Sequence, residues 1–168
     1  SVLADLAGAV IPGAAASSAD FAGANLERSD LTYSELAGAD FGAAKLAGAD
    51  ARDADLTRAD LSGADLTFAW IIRANFTRAR LHGATMQTMV TSMGMDNTPG
   101  EAATFVDADL SDANITVHFS LDDLRGANFS RAHMTVNIAN QSMGLLRTEF
   151  IGARLDGEDA GLVAQGQH

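Results

Sequence analysis

The sequence predicts an all-β coil built from short repeated steps. Two observations predict it. First, large apolar residues recur every fifth position at Leu6, Ile11, Ala16, Phe21, Leu26, Leu31, Leu36, Phe41, Leu46, Ala51, Leu56, Leu61, Leu66, Ile71, Phe76, Leu81 and Met86, where Ala stands in twice. Second, Ala or Ser stands two residues before each of them, from Ala4 to Ala84. Neither a helix nor a strand has a period of five, so the pattern belongs to a repeat architecture.

Each five reads as a short extended piece followed by a corner. Residues two apart on an extended segment point to the same side, so the small and the large apolar residue both face inward. The residue between them then faces out, and it is mostly Asp or Asn: Asp20, Asn25, Asp30, Asp40, Asp50, Asp55, Asp60, Asp65 and Asn75. The last two residues of each five are Gly, Ser, Thr, Arg or Ala, which suits a corner, and Asp, Asn and Gly supply local hydrogen bonds and turn-compatible backbone.

The run ADFAGANLERSDLTYSELAGADFGAAKLAGADARDADLTRADLSGADL resembles the pentapeptide-repeat family with its A(D/N)LXX pattern. The resemblance is specific over 19–86, good at 103–115 and 125–134, and partial at 148–157. It implies a right-handed quadrilateral β-helix, four fives to a coil and about seven coils with one irregular insert. Residue n then stacks on n+20. Four inner columns are expected: Phe21, Phe41, Leu61 and Leu81; Leu26, Leu46, Leu66 and Met86; Leu36, Leu56 and Phe76; and Ile11, Leu31, Ala51 and Ile71, the last thinned by Ala51. At about 4.8 Å per coil the rod is roughly 34 Å long.

The 168 residues, 47% apolar, make a single quasi-linear domain whose core is closed only by stacking. Regular coils span 19–86, an insert 87–104, less regular coils 105–157 and a tail 158–168. Residues 1–15 read either as a capping helix or as a first coil. Across Thr85 to Thr104, Met86, Met89, Met93 and Met95 cluster, and Asp96-Asn97-Thr98-Pro99-Gly100 is a loop signal. The repeat resumes at Phe105, Leu110 and Ile115, slips by one residue to Phe119, Leu124, Phe129 and Met134, and slips again before Leu145, Phe150 and Leu155. These slips are expected at corners.

The net charge of −11 disfavours nucleic acid and anionic membranes as partners. It is uneven: residues 1–65 hold 11 acids and 4 bases, 66–95 hold no acid and Arg73, Arg78 and Arg80, and 96–168 hold 11 acids and 4 bases. A basic belt is thus expected to interrupt an acidic rod. In that belt Phe68, Trp70 and Ile72 fall at outward positions. Such a cluster marks a contact surface, covered either by a partner or by the following segment, where Met89 and Val90 lie about one coil on. The candidate contact residues are Phe68, Trp70, Ile72, Arg73, Arg78 and Met89. Arg73 is expected over Asp53, as a surface ion pair worth under about 1 kcal/mol.

Catalytic and cofactor signals are missing. His82, His118, His133 and His168 have no metal-ligand spacing, there is no cysteine, and no phosphate-binding, nucleophile-elbow or dinucleotide motif occurs. The Asp column recurs at every coil and reads as structural. No enzyme, cofactor or metal is expected. No run is apolar enough to span a membrane, and the location expected is the cytoplasm, or outside it if an N-terminal segment has been removed.

The function expected is recognition of a protein partner, or scaffolding, by a rod that binds no nucleic acid directly and touches no membrane; a homodimer is left open. The resemblance implies an alternative: some family members mimic DNA, bind the type II topoisomerases DNA gyrase and topoisomerase IV, and confer quinolone resistance. The candidate acidic ladder for that role is Asp20, Asp40 and Asp60. Those relatives tend to carry inward Cys, more central Phe and a C-terminal helix, whereas this chain has no Cys, Leu-rich centres and a Gly-rich tail. Ice binding by outward Thr ladders is disfavoured, because only Thr57 and Thr77 stack at twenty-residue spacing.

Overall fold

The computed structural model describes residues 4–89, 102–117, 123–136 and 154–156. From Asp5 to Thr85 the chain forms parallel β-bridges at an interval of 20 residues, such as Asp5↔Asn25, Asp20↔Asp40 and Asp65↔Thr85. Four bridge columns result, and the four inner columns are those the repeat predicts. We name the four faces of each coil after Phe41, Leu46, Ala51 and Leu56, which follow one another along one coil.

The backbone explains why the repeat has the residues it has. Each central residue donates to the coil that follows, as Leu26 N–H does to the Lys45 carbonyl at 2.7 Å, and the residue before it donates to the coil that precedes, as Asn25 N–H does to the Ala4 carbonyl at 2.9 Å. The second corner residue also donates onward, as Arg28 N–H does to the Ala47 carbonyl at 2.9 Å. The next inward small residue closes a four-residue turn, as Ser29 N–H does to the Leu26 carbonyl at 3.1 Å. One N–H per five remains, on the first corner residue, and the outward Asp or Asn takes it. Asp20 Oδ1 accepts from Ala22 N–H at 3.0 Å, Asp40 Oδ1 from Gly42 N–H at 2.8 Å and Asn75 Oδ1 from Thr77 N–H at 3.0 Å. All five donors are then satisfied, as buried or half-buried backbone requires. Where Val10 replaces the acid, Pro12 occupies the first corner position and has no N–H to satisfy.

The second corner residue always has a positive φ, from 52° to 71°. This makes a type II turn, which prefers Gly at that place. Gly8, Gly13, Gly48 and Gly63 fill it, but so do Arg28, Tyr33, Asp53, Phe68 and Arg73.

The core is continuous from Ala24 to Met134, and Leu56, Ala59 and Leu66 are buried. Leu6, Ile11, Ala16 and Phe21 are only partly buried against it. Phe21 stacks on Phe41 at 5.0 Å. Ala51, between Leu31 and Ile71, leaves an apolar cavity of about 10 Å³ lined by Leu31, Leu36, Leu56 and Leu66 among others.

On the Leu46 face, residues from successive coils lengthen into strands: β1 (Thr85–Met89), β2 (Asn114–Val117), β3 (His133–Val136) and β4 (Arg154–Asp156), parallel in that order. Two expectations are settled here. Asp5 already bridges Asn25, so the residues described from 4 to 15 form a first coil, not a helix. The slip by one residue is real, because Thr104 bridges Asp123 and Asp109 bridges Asn128. The Phe119 and Leu145 positions lie outside the described residues.

Candidate recognition face

The Ala51 face carries the unusual side chains. Its outward centre line runs Val10, Asp30, Asp50, Trp70 from coil to coil. One edge is Gly8, Arg28, Gly48 and Phe68; the other is Gly13, Tyr33, Asp53 and Arg73, and all eight mark corners by their positive φ. The exposed large apolar residues among those described are Val10, Tyr33, Phe68 and Trp70, at 73%, 66%, 59% and 42%. All four belong to this one face of the coil.

Around Trp70 the polar groups are tied together. The Arg52 guanidinium lies 5.7 Å over the Trp70 ring, a cation–π contact. The same group grips Asp50 at both oxygens, Nε to Oδ1 at 2.8 Å and Nη2 to Oδ2 at 2.6 Å. Arg73 grips Asp53 likewise, with both bonds at 2.6 Å. The Arg73 hydrogen bond holds the Asp53 carboxyl below the usual range, and hydrogen bonds from the Thr32 backbone and hydroxyl do the same for Asp30.

Phe68 and Trp70 are therefore surface-directed as the repeat requires, and Arg73 sits over Asp53. Two candidate contact residues are corrected. Ile72 is fully buried, although it stands outside the contiguous core cluster; a residue with no exposed surface cannot contact a partner. Met89 is 5% exposed and belongs to the core. Thr88 takes a positive φ of 52°, so the chain makes one more corner after Met86. Met89 then falls on the inward position that Ala holds elsewhere. Val90, the other residue expected to cover the patch, lies outside the described residues.

Arg78 is placed at the next corner, beyond the Leu56 face, 3.8 Å from Asp107. The belt is not a free basic surface either. Arg73 pairs with Asp53, Arg78 with Asp107 and Arg80 with Asp60 at 3.1 Å, so acids of the neighbouring coils balance it. Sequence reasoning misses Tyr33, Val10 and Arg52. Each fits the repeat by itself, and only the twenty-residue stacking groups them with Trp70.

Elsewhere, Asp20, Asp40 and Asp60 form one bridged column, which continues as Arg80, Asp109 and Asn128. His82 Nδ1 lies 3.1 Å from Ser111 Oγ and 3.4 Å from Asp112 Oδ2. Both contacts fall on the same ring nitrogen, so the group lacks the relay geometry of a nucleophilic triad. No group of three or more His, Asp or Glu residues able to hold a metal occurs among the described residues, and no described helix is long and apolar enough to cross a membrane.

The pentapeptide-repeat family model matches in 8 copies over residues 3–32, 34–69 and 59–87. Among solved structures, a pentapeptide repeat protein of the Arabidopsis thaliana thylakoid lumen is 32% identical over 76% of this chain and 70% of that one, with a TM-score of 0.48. HetL, a pentapeptide repeat protein involved in heterocyst differentiation regulation in the cyanobacterium Nostoc, is 22% identical over 93% and 87%, with a TM-score of 0.49. A trypsin-treated variant of QnrB1, a plasmid-mediated fluoroquinolone resistance protein, is 20% identical over 96% and 82%, with a TM-score of 0.36. Comparison with curated proteins returns no match. By its repeat and by the matching model, the chain belongs to the pentapeptide-repeat family.

Proposed function

We propose that this protein works without catalysis or cofactor, as a rod that recognises a protein partner through its Ala51 face. Trp70 and Phe68 are the apolar anchors, Tyr33 adds an amphipathic contact, and Arg52, fixed between Asp50 and Trp70, supplies a preoriented cation. The observation that carries this reading is the gathering of Val10, Tyr33, Phe68 and Trp70 on one face. Exposed aromatic and Arg side chains are the residue types that dominate contact energy. The regular Asp positions need no functional account, because they satisfy the corner N–H groups.

The test is binding of the partner, recovered by affinity capture, to purified wild type and Trp70→Ala. Loss of binding with unchanged melting supports the reading. Unchanged binding by both Trp70→Ala and Phe68→Ala refutes it.

The second reading is mimicry of DNA toward DNA gyrase or topoisomerase IV. The column of Asp20, Asp40 and Asp60 favours it, with carboxylates about 4.8 Å apart. Arg80 counts against it, because it follows in the same column and neutralises Asp60. A supercoiling assay at low and high salt decides: mimicry requires inhibition or protection that weakens steeply with salt and falls when Asp20 and Asp40 are changed to Asn together.

A further inference from the structure

We infer that the Ala51 face docks on the same face of a second copy of this chain, turned end for end. The inference rests on the recognition reading above and names its partner. The two-fold axis runs across the face, perpendicular to the rod, between the coil of Leu31 and the coil of Ala51. A two-fold contact requires a patch complementary to itself, and this face is so in both polarity and size.

The centre line reads apolar, acidic, acidic, aromatic: Val10, Asp30, Asp50, Trp70. Turned end for end, Trp70 meets the partner's Val10, and the same contact occurs at the other end. In the middle Asp30 meets the partner's Asp50, which arrives already paired with its own Arg52, so the carboxylate faces an ion pair. On one edge Phe68 falls opposite the partner's Gly8, and Arg28 opposite the partner's Gly48. On the other edge Arg73 falls opposite the partner's Gly13, and Tyr33 opposite the partner's Asp53, whose carboxylate its own Arg73 and Tyr33 already engage. Phe68 and Arg73 thus meet open glycines, since no atom lies within 4 Å of where a Cβ would stand at Gly8 or Gly13, whereas Gly48 is already covered by its own chain's Arg28, whose Cγ lies 3.4 Å from that point.

The side-by-side parallel arrangement lacks this fit. It sets Asp30 on the partner's Asp30, Asp50 on the partner's Asp50, Gly8 on the partner's Gly13, and Phe68 against the partner's Arg73. The two Asp50 carboxylates keep their own Arg52 in either arrangement, but here Asp30 faces a second Asp30 with no ion pair opposite and the glycine positions leave a gap, so the antiparallel pair is the better match. Four coils of a single face make a small contact, so the dimer is concentration-dependent, with a Kd in the micromolar range.

Sedimentation velocity of the purified chain from about 1 to 200 μM spans that range. The wild type is expected to shift from monomer to dimer as concentration rises. Val10→Glu and Trp70→Lys are each expected to stay monomeric, since each sets a charge against an apolar side chain at both ends. Glu35 and Lys45 already occupy equivalent outward positions, so the fold accepts these changes. An equimolar mixture of the two variants is expected to dimerise again. In the mixed pair the introduced carboxylate meets the introduced ammonium at one end, and Trp70 of one variant meets Val10 of the other at the opposite end.

A wild type that is monomeric throughout overturns the proposal, as does a mixture of folded variants that remains monomeric. If the wild type is monomeric while Trp70→Ala still abolishes capture of a different protein, self-association falls and the recognition reading stands. Dimers that persist unchanged in both variants place self-association on another surface and refute this face as its site.

Discussion

Phe76 and Phe105 stack at 4.9 Å with their planes 6° apart, although the register there has lengthened from 20 residues to 29. The register lengthens between Thr85 and Thr104, and the inner column of the Leu56 face passes the interruption intact. The two rings clasp the regular half to the half that follows.

That clasp is measurable. Phe76→Ala and Phe105→Ala should each cost about 3–5 kcal/mol in denaturant unfolding, because both rings are fully buried. Their double-mutant cycle should give a coupling of about 1 kcal/mol. Additive effects would show that the two halves are stabilised independently.

Ala51 is a place to gain stability. It lines a small apolar cavity with Leu31, Leu36, Leu56 and Leu66 among others. Ala51→Val should raise the unfolding free energy by about 0.5–1.5 kcal/mol, read as a higher denaturant midpoint at unchanged slope. A lower midpoint would show that the surrounding leucines leave no usable room.

Phe68 should trade stability for contact. It holds a φ of 59° while 59% exposed, a backbone conformation that disfavours a side chain by about 1–2 kcal/mol. Phe68→Gly should therefore melt at least as high as wild type, less the entropy Gly loses on folding, while partner binding weakens. A clear drop in melting temperature would show that the ring stabilises the coil.

Acid should loosen the rod. Asp53, Asp112 and Asp123 are all held below the usual carboxylate range, first by hydrogen bonds from Arg73, Arg131 and Arg125 respectively. A depressed folded-state value means the stabilisation is complete above the unfolded value, about 3.9. It is lost as pH falls through the lower folded values. Melting temperature should be flat from pH 7 to about 5 and decline below about 4. Arg73→Gln should make that decline shallower, and thermal melts across this range in the two proteins provide the check.

The fold is legible because its signal is geometric and redundant. Each inward position from Leu6 to Met86 repeats the same demand, and the bridges at 20 residues follow from four corners per coil. The site is only half legible. Trp70 and Phe68 announce themselves by breaking the Asp and Gly preferences of their positions. Tyr33 breaks the same preference at a corner where Arg and Asp also occur, so it carries no signal until stacked with Asp53 and Arg73. Met89 misleads because the apolar phase looks finished at Met86, whereas the Thr88 corner carries it one step further. The basic belt misleads because charge summed along the chain ignores partners one coil away. Arg73, Arg78 and Arg80 find theirs across coils, in Asp53, Asp107 and Asp60.

The interval between bridged residues has a mechanical consequence. The bonds that join coils run along the rod, and each coil is held only by its neighbours. A force applied to the chain ends should peel the coils one at a time. Each 20-residue coil then releases about 70 Å of contour length. The 29-residue coil releases about 100 Å. A stretching trace of this protein should therefore be an even sawtooth with one long tooth, and its position in the series would report where along the rod peeling began.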